Sequence, residues 1–247
     1  MTRRVAVIAP SASYVGPDLA RVMAERGHDL VLGAPPAALV AELEDMGAAV
    51  EAVADAADLT DPTVAPALVD AARSRFDRID AACMFSGAIR VGPFLDTTVD
   101  DLRAITRGNI EAPYHFLKAI VPPMVERRDG QVLVITSATA ARPAPGASLY
   151  SATRAGASML VKNVAAEHAR DNVQVNAVGT NFMDFDAFIK AAGLDGNPER
   201  RAEVEAAVPM KRLGRMDEFA QFCAVLLDGT SRFQTGQFFS YSGGWSD

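Results

Sequence analysis

Val5-Ala6-Val7-Ile8-Ala9-Pro10-Ser11-Ala12-Ser13-Tyr14-Val15-Gly16-Pro17 joins a short, continuous apolar run to the start of an amphipathic one. Five apolar residues without alternation describe a strand buried on both faces. From Gly16 to Arg26, Leu19, Val22 and Met23 recur at helical spacing, and Gly27 closes the helix. The same unit then repeats along the chain. Leu30-Val31-Leu32, Val50 to Val53, Ala81 to Phe85, Val132 to Thr136, Val173 to Ala177 and Gln237 to Tyr241 read as further strands. Between them, Pro36 to Met46, a helix opening at Asp61-Pro62, Val99 to Val125 with a kink at Pro113, and Leu149 to Arg170 read as helices. Buried strands alternating with helices predict a parallel sheet covered on both sides. Seven strands are too few for a closed eightfold barrel, so the expected fold is α/β, a single Rossmann-like, doubly wound domain over residues 1–247. The region 180–215 breaks the alternation with Asn197-Pro198, Pro209 and Gly214. It predicts a small insertion of two short helices beyond the strand ends, either a lid over the site or a packing subdomain.

Composition narrows the function classes. The 247 residues carry 24 Lys+Arg against 31 Asp+Glu, a net charge of −7, which disfavours nucleic acid or an anionic membrane as partner. The hydrophobic fraction of 49% is that of a globular chain. No apolar run reaches the length of a membrane span, and the run after Arg3-Arg4 is too short for a signal segment, so the expected location is the cytoplasm. Cys83 and Cys223 both sit in apolar runs and are expected to be reduced core thiols. His28, His115 and His168 share no ligand spacing, so no metal is expected.

The first loop lacks what a dinucleotide needs. Glycines at this turn let the backbone approach a pyrophosphate resting on the helix N-terminus. Here only Gly16 remains, and Tyr14 is bulky enough to fill the space. The second strand should end in an acid for the ribose hydroxyls, yet Leu32-Gly33-Ala34-Pro35 carries no charge.

A second constellation is chemical. Ser137 ends the fifth strand, Tyr150 follows thirteen residues on, and Arg154 lies one helical turn beyond Tyr150. Residues i and i+4 share a helix face, so the guanidinium can lie near the phenol. A free phenol, with a pKa of about 10, is a weak base at neutral pH, and an adjacent cation favours its ionised form. Arginine keeps its own proton and acts only electrostatically. Serine at the strand end can hydrogen-bond a substrate oxygen held by the tyrosine. Tyr114-x3-Lys118 imitates the pattern one helix early, but the position thirteen before it is Asp101.

Ser137-x12-Tyr150-x3-Arg154, Gly214-Arg215-x2-Glu218, Thr235-Gly236-Gln237, Gly243-Gly244 and Asn109 resemble the short-chain dehydrogenase/reductase superfamily. Arginine where the dehydrogenases have lysine, with Tyr14-x-Gly16 in the first loop, looks like its halohydrin dehalogenases, although Ala9 stands where they have threonine. Segments such as Gly179 to Phe185 and Phe233 to Phe239 look most like the G-type members, which are associated with bulky and cyclic epoxides. The resemblance implies cofactor-free closure of a vicinal halohydrin to an epoxide, and the reverse opening by an anion. Ser137 and Tyr150 would hold the oxygen, Arg154 would support Tyr150, and the released halide would sit among Tyr14, Thr180, Asn181, Phe182 and Met183. It also implies a homo-oligomer, a tetramer, that pairs the helices at 99–125 and 149–170.

Two alternatives stay open. One is a nicotinamide-dependent reductase with a degenerate first loop. The other is a non-enzymatic regulator that kept the fold, against which the Ser137-Tyr150-Arg154 spacing argues.

Overall fold

In a computed structural model, which describes residues 3–87 and 89–246, seven parallel strands form one sheet in the order β3-β2-β1-β4-β5-β6-β7. The strands are β1 (Arg4–Ala9), β2 (His28–Gly33), β3 (Val50–Val53), β4 (Ala81–Phe85), β5 (Gly130–Ser137), β6 (Val173–Thr180) and β7 (Phe238–Tyr241). The order reverses between β1 and β4, which places the ligand crevice of a doubly wound fold above those two strands. The predicted fold class holds.

Two apolar layers cover the sheet. Val5, Val7 and Ala9 of β1 face one side, with Leu68 of α3 (Val64–Phe76), Phe116, Ile120 and Met124 of α5 (Ala112–Arg127), and Val161 of α6 (Ser148–His168). Ala6 and Ile8 face the other, with Leu19 and Met23 of α1 (Gly16–Glu25), Leu39 and Leu43 of α2 (Ala37–Asp45), and Phe219 and Cys223 of α9 (Met216–Val225). The period-two split of β1 explains why its sequence shows no alternation: both faces are buried. Cys83 and Cys223 are free and buried. No helix among the described residues is long and apolar enough to cross a membrane.

Two expectations are corrected here. The helix expected at Asp61-Pro62 begins at Val64, because Asp61 Oδ1 accepts from the Thr63 N–H (2.8 Å) and hydroxyl (2.6 Å) and closes a turn before the helix. The single helix expected over Val99 to Val125 is broken earlier than Pro113. It runs as α4 (Val99–Thr106), a π-helical turn (Arg107–Glu111) and α5. Pro113 lacks the N–H that would reach back five residues, so the Gly108 carbonyl is free to accept from Ser86 Oγ at 2.8 Å. A capping box between Thr98 and Asp101 fixes the start of α4.

The N-terminal edge of the sheet is tied by charge. Asp80 is fully buried; it accepts from Val5 N–H (2.8 Å) and from Arg78 (2.6 Å) and lies 3.5 Å from Arg127. The Arg4 guanidinium donates to the carbonyls of Asp80 (3.2 Å) and Leu227 (3.5 Å) and to Gln131 Oε1 (3.1 Å).

At the opposite edge, the region 180–215 holds the two short helices expected, α7 (Asp186–Ala191) and α8 (Pro198–Ala206). Asn197 caps α8 by accepting from Arg200 N–H (3.0 Å), with Pro198 at the first helical position.

Candidate active site

Ser137 is the last residue of β5 and is 3% exposed. Its neighbour in the sheet is Thr180, the last residue of β6, and Ser137 Oγ donates to the Thr180 carbonyl at 3.4 Å. The Thr139 N–H (3.3 Å) and hydroxyl (3.1 Å) donate to Ser137 Oγ and fix the side chain. Gly179 makes this edge possible: a Cβ there would lie 2.6 Å from the Ser137 carbonyl oxygen.

Tyr150 and Arg154 lie one turn apart on α6, as their spacing predicts. The guanidinium lies against the Tyr150 ring, 5.2 Å from its centroid, which is a cation–π contact. Arg154 is 6% exposed, and it donates to the Ser86 carbonyl at 2.6 Å. Its Nε has no hydrogen-bond partner among the described residues.

Three residues that sequence reasoning left out surround this cation and Asn109, and one of them, Ser86, bonds the cation directly. Ser86 joins the π-turn to Arg154, with its hydroxyl on Gly108 and its carbonyl under the guanidinium. Gly87 packs so closely that a Cβ would lie 1.8 Å from Asn109 Oδ1 and 2.7 Å from an Arg154 nitrogen. Thr153 accepts from the Asn109 amide at 2.9 Å. Asn109, singled out from the sequence, thus reaches the site through the widened turn. The pair Ser86-Gly87, just after a buried strand, is the signal that could have been found.

The structure brings the remaining predicted residues to the same edge but not all to one point. The Tyr14 hydroxyl lies 2.6 Å from Thr180 Oγ1. Its ring meets Phe85 edge-on at 5.3 Å and Phe185 at 4.7 Å, with Phe219 at 6.0 Å. Burial pushes the Tyr14 phenol above its ordinary pKa, against the opposing effect of the Thr180 bond, so it stays protonated. Asn181, Phe182 and Met183 line a separate cavity of about 340 Å³ with Leu213 and Tyr241. The Phe182 N–H, expected to face an anion, donates to Asn181 Oδ1 at 3.0 Å, and the Phe182 ring turns toward Phe188 and Trp245. No group of three or more His, Cys, Asp or Glu side chains among the described residues is arranged to hold a metal ion.

The arrangement does not fit a dinucleotide as it stands. Tyr14 adopts the left-handed conformation (φ 53°) that favours glycine, and it puts a ring where backbone should approach phosphate. At the start of α1 the Gly16 N–H is already donated to the Ser13 carbonyl at 3.0 Å, and Pro17 has none. At the end of β2 the Gly33 carbonyl accepts from both the N–H (2.8 Å) and hydroxyl (2.9 Å) of Ser11, and no acid follows.

Comparison with known proteins corrects the activity expected from the sequence. The family model described as enoyl-(acyl carrier protein) reductase matches residues 11–246. The oxidoreductase UcpA of Escherichia coli is 30% identical over 96% of this chain and 92% of its own. A solved 7α-hydroxysteroid dehydrogenase, complexed with NADH and 7-oxo glycochenodeoxycholic acid, is 25% identical with a TM-score of 0.88, over 98% of this chain and 94% of that one. A solved dehalogenation enzyme is 26% identical with a TM-score of 0.85, over 99% of both chains. Full-length relatives are named oxidoreductases and dehydrogenases, and this overturns the halohydrin dehalogenase and lyase assignment. Tyr14 and Arg154 had carried that assignment. They are local departures inside a chain whose similarity to oxidoreductases runs over nearly its whole length.

Proposed function

Because the chain belongs to the short-chain dehydrogenase/reductase family, we propose that it is an oxidoreductase acting on the carbon–oxygen bond of a small alcohol or carbonyl compound. The observation that carries this reading is the Arg154 guanidinium set against the Tyr150 ring on α6, together with the buried Ser137 at the end of β5. In this proposal Tyr150 moves a proton to or from the substrate oxygen through its hydroxyl. Ser137 holds the same oxygen by a hydrogen bond. Arg154 sets a positive charge against the Tyr150 ring, and it has no proton of its own to give. The electrons need a carrier, and nicotinamide nucleotides are bound in structures of similar fold. The Tyr14 arrangement does not fit one in its present position, so no step is drawn through it.

The test is a spectrophotometric assay of the purified chain with reduced and oxidised nicotinamide nucleotides and a panel of primary and secondary alcohols, aldehydes and ketones. Turnover that falls about 100-fold or more in a folded Tyr150→Phe variant supports the proposal. Absence of nucleotide-dependent turnover across the panel counts against it. Self-association belongs to the same proposal: Val99, Leu102, Tyr114 and Met159 are exposed on the long helices expected to pair, and light scattering would read the resulting mass.

A further inference from the structure

Tyr14 stands over the crossing point of the sheet. It follows β1, and its ring contacts Phe85 at the end of β4, so it bridges the two strands between which the strand order reverses. A dinucleotide in a doubly wound fold crosses at this reversal. The Tyr14 hydroxyl reaches onward to Thr180 at the end of β6, and the Phe185 ring closes from the segment that follows. One side chain therefore spans the crevice from β1 to β6. Its backbone is left-handed at φ 53°, a conformation bulky residues seldom adopt and glycine takes without strain.

Resting on the oxidoreductase reading, we infer that Tyr14, latched to Thr180, sets the affinity of this chain for its nucleotide: the crevice admits a dinucleotide only when the phenol leaves Thr180 and swings clear. A protein whose binding-competent state is a minor fraction binds more weakly by that fraction. A latch of one hydrogen bond and two edge-on ring contacts lowers the apparent affinity by about 10- to 100-fold. Tyr14 is thereby a specificity-determining residue that selects against nucleotide when latched, and Thr180 is its positioning partner.

Isothermal titration calorimetry of the full chain with NADP+, NADPH, NAD+ and NADH tests this without any assay of turnover. Tyr14→Gly should bind at least one of them about 10-fold or more tightly than the unaltered chain. Thr180→Val, which keeps the shape of the side chain and removes the hydrogen bond, should fall between the two. Glycine suits the backbone at this position, and Tyr14→Asn, which also tolerates the left-handed region, replaces it if the glycine variant does not fold. Equal affinity of the unaltered chain and the folded variants would overturn the latch and leave the oxidoreductase reading standing. No binding by any of them would overturn both. An unaltered chain that binds too weakly to measure beside a variant that binds supports the latch.

Discussion

The Arg154 guanidinium donates to the Ser86 carbonyl at 2.6 Å and pairs with no carboxylate among the described residues. A buried guanidinium without a counter-ion carries a desolvation cost that an apolar side chain of similar length does not. Its place beside the Tyr150 ring points to chemistry instead of packing. Arg154→Met should therefore leave the melting temperature unchanged or raised while turnover falls about 100-fold. Arg154→Lys keeps a charge but loses the planar fork that holds the Ser86 carbonyl, so a smaller loss of about 10-fold is expected. Calorimetric melting and steady-state rates, measured on the same samples, check the split. A parallel loss of stability and turnover in the methionine variant would make Arg154 a structural residue.

Gly87→Ala should disturb the same residues from the other side. At φ 116° no side chain is comfortable, and the new Cβ would overlap Asn109 Oδ1. A destabilisation of about 2 kcal/mol or more is expected, read as a fall of about 4–8 °C in Tm. Turnover should drop further than the lost folded fraction explains, because both Asn109 and Arg154 must move.

Asp80→Asn should weaken the whole sheet. Burial alone would raise the Asp80 pKa, but the hydrogen bonds from Arg78 and the Val5 N–H hold it below the usual carboxylate value. A carboxyl whose folded pKa is depressed contributes stability that is present above its unfolded value, about 3.9, and is lost as pH falls through the folded one. Removing the charge leaves Arg78 without its partner at a loss of about 3 kcal/mol near neutrality. Urea unfolding at pH 7 and pH 3 should show that gap narrowing in acid. A gap of constant size would disprove the ionic origin.

His28 supplies a second acid-sensitive contribution, at higher pH. It is 2% exposed, and burial, reinforced by Arg4, lowers its pKa below the ordinary value. Its stabilising contribution is present above the unfolded pKa, about 6.5, and fades as pH falls below that toward the folded value. Thermal melts of the unaltered chain should therefore decline between about pH 6.5 and pH 5. In His28→Gln, which has no proton to take up, the decline over this window should be shallower.

The fold was legible because buried strands leave an apolar mark and doubly wound sheets repeat it. Strand ends were less so. β5 begins at Gly130, two residues before its apolar run, because the polar Gln131 is buried and donates to the carbonyls of Leu226 and Ser231 at 3.0 Å each. Hydropathy cannot report a polar residue whose partners are about a hundred residues away. Ser137, Tyr150 and Arg154 were legible because their spacing is local to one strand and one helix. The supports at Ser86, Gly87 and the π-turn were not, since a proline one turn after Asn109 does not reveal which carbonyl it frees. The activity was misjudged for a related reason. Tyr14 and Arg154 are single positions, and similarity spread over the remaining chain outweighs them.

Arg4 carries a consequence for the order of assembly. Its single guanidinium touches carbonyls of residues 80 and 227 and the side chain of residue 131, so the last of its three bonds joins the first strand to a segment more than two hundred residues later. Synthesis proceeds from the N-terminus, and non-local pairings must wait for their partners. While the ribosome is still making α9, β1 can pair with β2 and β4, but the charge at its mouth has no complete seat. The seat of Arg4 is thus closed only when residues near 227 arrive, and a chain stopped short of them should be cut faster by proteases near β1 than the complete one.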